Sequence, residues 1–147
     1  MKVKELNDLF QRDLKKLKQE LTSYTSEDQL WLVPEGIVNS GGNLALHLLG
    51  NLRHFIGNDL GGFTYVRNRE REFGAKGEPL EGLLQELEET QVIVEKSLLA
   101  LHTDRLGDVS IHAFFGYPMT IGYFLIHLYG HFNYHLGQIN YHRRMVK

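Results

Sequence analysis

The sequence contains no cysteine. That absence excludes a disulfide framework, a thiolate metal site and a cysteine nucleophile. Charge is missing from one long stretch: Tyr117–His142 holds no Lys, Arg, Asp or Glu. A solvated helix face is normally built from Lys and Glu. A helix without them is expected to be surrounded by protein and to be the least exposed in the molecule. Nor is there an excess of basic residues. Sixteen Lys and Arg against 18 Asp and Glu give a formal net charge of -2, so no basic field points to nucleic acid. The 117–142 stretch is long enough to raise the question of a membrane. Its four His, three Asn or Gln and three Gly argue against contact with lipid, and no membrane partner is expected. The opening Met1–Phe10 lacks the apolar run of a secretory signal, which makes the cytoplasm the expected location.

With 147 residues, 42% hydrophobic and 23% charged, the chain is expected to form one domain over 1–147 with a real core. Residues Lys4–Tyr24 read as an amphipathic helix, because Leu6, Phe10, Leu14, Leu17, Leu21 and Tyr24 recur at intervals of three and four. Trp31–Gly42 reads as a loop, with Ser40 or Asn39 capping a second helix over Ser40–Asn58. A third runs from Pro79 to Leu101 on a leucine seam, and Pro118 opens a fourth. Ile111–Phe115 reads as a short extended piece. The fold class is all-α, a four-helix bundle with long connections. Asn58–Gly77 and His102–Tyr117 exceed the usual helix–helix turn and are expected to cover a functional end.

His127, His131, His135 and His142 share one stripe of the fourth helix, since each lies within about 40° of its neighbour at 100° per residue. His131 and His135, one turn apart, are spaced to grip one metal ion. The second helix carries Asn43, His47, Gly50, Asn51 and His54 on one face. His47 at its centre is the third candidate ligand. Three neutral imidazoles would leave a divalent ion its full charge and an open position. The motif His131-Phe-Asn-Tyr-His135 lacks the Glu of a metalloprotease helix, and no carboxylate is evidently placed as a base. His54 is a candidate for the pocket mouth. His127 and His142 read as packing or surface residues, and His102 and His112 carry no assignment. Asn51 and Gln138 could orient ligands. The Arg67, Arg69, Arg71 string could hold an anion, but the favoured reading is a solvated charge run.

Three segments resemble the DinB/YfiT-like superfamily: Asn39-Ser-Gly-Gly-Asn-Leu-Ala-Leu-His47-Leu-Leu-Gly-Asn51, Arg67-Asn-Arg-Glu-Arg-Glu-Phe73, and His131-Phe-Asn-Tyr-His135-Leu-Gly-Gln138-Ile. The resemblance implies a four-helix bundle with a divalent metal, zinc or nickel first, on His47, His131 and His135. It also implies a homodimer. Leu49, Ile56, Val92 and Ile93 are the apolar residues available for that contact. Some members of the superfamily transfer or isomerise with a small thiol cofactor such as bacillithiol, mycothiol or glutathione. The expected function is therefore a metal-dependent transferase acting on a small-molecule substrate with a borrowed thiol. The alternatives are a non-catalytic metal-binding or stress-related protein, or a metal-dependent hydrolase. No catalytic residue is assigned.

Overall fold

A computed structural model describes all residues, Met1–Lys147, and is all-helical. Helix α1 spans Val3–Thr22, α2 Glu27–Leu30, α3 Gly41–Leu52, α4 Arg69–Gly74, α5 Leu80–Ala100 and α6 Ile121–Met145. A π-helical turn, Arg53–Asn58, continues α3, and a 3₁₀ turn, Thr103–Gly107, follows α5. Four of these segments match the sequence reading to within a few residues. The fourth helix starts later than Pro118, because Thr120 is its cap and accepts a hydrogen bond from the Tyr123 amide. The short α2, capped by Ser26, was not anticipated. The extended pairing is a single antiparallel bridge between Val109 and Thr120, and Ile111–Phe115 is irregular, with a bend at Ile111 and a turn at Phe114 and Phe115.

The apolar spacing of α1 buries Leu6, Phe10, Leu14, Leu17 and Leu21 almost completely. This seam packs against α5 and α6, while α3 contacts α4, α5 and α6. All twelve residues of α3 are buried, including its Asn and His. The least exposed helix is thus α3, not α6. Tyr123, Ile126, Tyr134 and Tyr141 on α6 are exposed. Helix α6 carries no Lys, Arg, Asp or Glu before Arg143, but its outer side presents tyrosine and isoleucine to solvent instead of being covered by protein. Leu49 and Ile56 are core residues and are not free for a dimer contact, whereas Val92 is exposed. No helix is long and apolar enough to cross a membrane.

The two long connections differ. The first folds back through α4 onto α3, and its last turn buries Glu72. Asn43 of α3 clamps that turn by donating to the carbonyls of Glu72 and Ala75, at 3.0 and 2.9 Å. The second rests on the Phe114 ring, packed edge-on to Phe55 and stacked on Phe124, and leaves Phe114, Phe115 and Tyr117 half exposed.

Candidate metal centre

Helix α3 carries His47 inward and α6 carries His131 and His135 toward it, one turn apart. The three rings meet with centroids 4.6 to 5.1 Å apart. One ring nitrogen from each residue lies within 4.8 Å of the others. His47 Nε2 and His131 Nε2 are 3.1 Å apart, which suits two nitrogens sharing an ion at about 2.0–2.1 Å from each. His47 is buried, and the other two are half-buried at the edge of a cleft.

The far nitrogens of two of these rings are already engaged. His47 Nδ1 donates to Glu72 Oε1 at 3.0 Å, and His135 Nδ1 donates to Gln138 Oε1 at 2.7 Å. Each bond fixes a tautomer that leaves Nε2 unprotonated and turned to the centre, the usual support for a ligating imidazole. His131 Nδ1 is buried without a partner. Without a metal, the consistent pattern is that His131 Nε2–H donates to His47 Nε2. Binding of an ion at His131 Nε2 would require that proton to move to Nδ1, so that the imidazole stays neutral. Burial first, and then the neighbouring His135 and His47, push the His131 imidazolium down to about 4. Burial also lowers His135, against the opposing bond from Gln138. These two ligands are therefore neutral at ordinary pH, as binding requires.

Glu72 is the residue beside the histidine cluster that the sequence reading missed. Its side chain is 4% exposed and ion-paired to Arg67. Arg67 Nε donates to Oε2 and Nη2 to Oε1, both at 2.9 Å. Burial opposes ionisation of Glu72, but the hydrogen bonds from His47 and Arg67 and the charge of Arg67 outweigh it and hold the carboxyl below its usual range. Arg67 Nη2 also comes within 3.3 Å of His47 Nδ1. With that nitrogen protonated toward Glu72, donor faces donor, and the approach adds no bond. Gly50 makes room for this arrangement, since a Cβ there would collide with the Glu72 carboxylate. The reading of residues 67–73 as a solvated charge run is corrected accordingly: Arg67 and Glu72 belong to the centre. A signal was present in the helix face that pairs His47 with Gly50, a gap beside a candidate ligand.

The other candidates fall as follows. His127 lines the cleft, with its ring 6.4 Å from that of His131, outside the ligating trio. Asn51 also lines it, and its buried Oδ1 has no partner. His54 lies edge-on to Phe55 and does not line the cleft. His142 shares the azimuth of the stripe but stands about 10 Å farther along the axis than His135. It is buried there, accepting from Tyr24 OH at 2.6 Å and donating to the Leu32 carbonyl at 2.8 Å. Its replacement is therefore expected to cost stability, although it has no part in the centre. His112, unassigned from sequence, pairs with Asp59 at 2.8 Å behind the aromatic wall.

The model of a family described as a protein of unknown function, DUF1572, matches residues 2–147. The chain belongs to the DUF1572 family. No curated protein matches it in sequence. Within this family member, the donor set is three imidazoles without thiolate or directly placed carboxylate, which is the chemistry of zinc, nickel, cobalt or iron rather than of calcium or magnesium.

Proposed function

We propose that this DUF1572 chain is a DinB-like four-helix bundle, formed by α1, α3, α5 and α6, that holds one divalent cation, zinc or nickel, on His47, His131 and His135, and that it transfers a small borrowed thiol to an electrophile. The observation that carries the reading is the convergence of three ring nitrogens at the wall of an open cleft. When bound there, the ion would supply Lewis acidity that lowers the pKa of a thiol. His47 would be held in register by Glu72, and His135 by Gln138. Phe55, Phe73, Phe114 and Phe124 line the cleft of about 360 Å³ and offer an apolar bed for the electrophile. In the reaction the thiol sulfur bonds to the electrophilic carbon, the leaving group departs with the bonding pair, and the thiol proton passes to solvent.

Hydrolysis would need a free base beside the ion. Glu72 is the carboxylate at hand, but both of its oxygens are occupied by His47 and Arg67. This favours thiol transfer over hydrolysis. We further propose that the chain works in the cytoplasm as a homodimer, supported by the exposed apolar and aromatic residues Tyr123, Ile126, Tyr134 and Tyr141 along the outer face of α6.

The test is elemental analysis of untagged protein together with thiol conjugation. Wild type is expected to hold close to one zinc or nickel per chain. His131→Ala should lose at least 100-fold in affinity while keeping its helical circular dichroism. The loaded protein should accelerate conjugation of glutathione or bacillithiol to monobromobimane. Metal binding without acceleration would leave the non-catalytic reading, and no binding of offered Zn²⁺ or Ni²⁺ would remove the centre altogether.

A further inference from the structure

The three arginines of the first connection have different fates. Arg67 is bonded to Glu72. Arg71 forks onto Glu78 and Glu86. Arg69 lies between them with its guanidinium over the Phe73 ring, 5.3 Å from the centroid, and has no carboxylate partner. Phe73 in turn packs on His47 with centroids 4.9 Å apart. Two such steps lead from the free cation to the metal centre, and Arg69 and His47 line the same cleft.

That cleft contains no Asp or Glu among its lining residues. The one carboxylate nearby, Glu72, is neutralised behind the wall. An occupant therefore meets positive charge from Arg69 and whatever charge the histidine centre carries, and nothing of the opposite sign. Arg69 is exposed, so it offers its charge at the solvent side of the cleft, where it can steer and hold an anion. An unpaired arginine whose neighbours are both paired, placed on an aromatic ring that fixes its direction, is built for an anion with a planar acceptor edge.

We propose that the cleft selects small molecules bearing a carboxylate, and that Arg69 pairs with that carboxylate while the other end of the molecule reaches the histidine centre. Resting on the thiol reading above, this names the ligand class as ω-mercaptocarboxylates and their relatives. Arg69 is a binding residue for the group distant from the reacting atom, and Phe73 positions it.

The test uses Co²⁺-loaded protein and a series of three thiols, mercaptoacetate, 3-mercaptopropionate and 6-mercaptohexanoate, each against its neutral amide. Binding is read from the near-ultraviolet sulfur-to-cobalt charge-transfer band. At the chain length that spans the cleft, the carboxylate is expected to bind about tenfold or more tighter than its amide. Arg69→Gln should reduce that preference below about twofold and leave the amide unchanged, and Arg69→Lys should restore part of it. A parallel titration of metal-free protein with hexanoate and hexanamide, followed by the nuclear magnetic resonance shifts of Arg69 and Phe73, requires neither metal nor thiol. Equal binding of acid and amide in both experiments overturns the carboxylate selection. Absence of the charge-transfer band with a hexanoate preference intact overturns the thiol reading alone.

Discussion

Two buried carboxylates, Asp13 on α1 and Glu72 at the end of α4, illustrate how similar groups serve different ends. The Asp13 side chain is fully buried. It accepts from Arg12 Nε at 2.8 Å, from Tyr129 OH at 2.7 Å and from Asn133 Nδ2 at 3.1 Å. Two of those donors stand on α6, so Asp13 ties α1 to the helix that bears His131 and His135. Glu72 is similarly dry and similarly paired with an arginine, but one of its bonds goes to an imidazole whose other nitrogen faces the cleft. The bonds of Asp13 end in the α1–α6 contact or in the half-exposed Arg12, whereas one bond of Glu72 goes to an imidazole of the histidine cluster. What separates the two carboxylates is the second nitrogen of the partner imidazole, and burial or charge alone does not distinguish them.

The largest effect expected from this comparison is on Asp13. Asp13→Ala strands the buried side of Tyr129 and Asn133 and should cost about 2–4 kcal/mol of unfolding free energy, with zinc or nickel content unchanged. Denaturant midpoints and elemental analysis on the same preparation check both halves. The stabilisation also has a pH signature. Burial alone would raise the Asp13 carboxyl, but the bonds from Arg12, Tyr129 and Asn133 and the Arg12 charge dominate and lower it to about 2. Since an unfolded Asp titrates near about 3.9, the contribution is complete above that pH and is lost as pH falls toward 2. The gap in midpoint between wild type and Asp13→Asn should narrow over that window; a gap constant from pH 6 to 2 would contradict the assignment.

Glu72→Gln comes next. The amide keeps the volume beside Gly50 but removes the charge that fixes the His47 tautomer and neutralises Arg67. Metal affinity should fall about 10–100-fold, in a direction that Asp13→Asn does not share. A chelator competition titration of the two variants side by side measures the contrast. If both variants lose metal equally, the distinction between the two carboxylates fails.

Much of this was readable from residue order. Leucines three and four apart set the helices, and the sharing of one stripe by His131 and His135 opposite the Asn/His/Gly face of α3 pointed to the three histidines that the fold brings together. The roles of Glu72 and Arg67 were not readable. A carboxylate 25 residues from His47 shows no periodicity with it, and its partner arginine lies in a string that looks solvated by composition. His142 was read as a packing or surface residue, and it packs; its partners were not legible, because which neighbour stands at each height of a helix depends on how Tyr24 and Leu32 fold back. Exposure of α6 was misjudged because poverty in charge signals a face that avoids charge, which an outer tyrosine face satisfies as well as a buried one.

Gln138 gives the smallest and most discriminating prediction. It does for His135 what Glu72 does for His47, accepting from Nδ1 at 2.7 Å. The setting differs in two ways. Gln138 is neutral, and it is exposed on the same helix three residues on, so water can take its place. A neutral, solvent-competed hydrogen bond is worth about 0.5–1.5 kcal/mol, which is about a two- to tenfold change in affinity. Gln138→Ala should therefore weaken zinc or nickel binding less than Glu72→Gln does, with no loss of helicity, since the side chain holds nothing else. The ratio of the two losses isolates what burial and charge add to an orienting bond. A loss for Gln138→Ala equal to or greater than that for Glu72→Gln would show that the α6 ligand, rather than His47, is the one whose orientation limits the centre, and would reverse the weight given to Glu72.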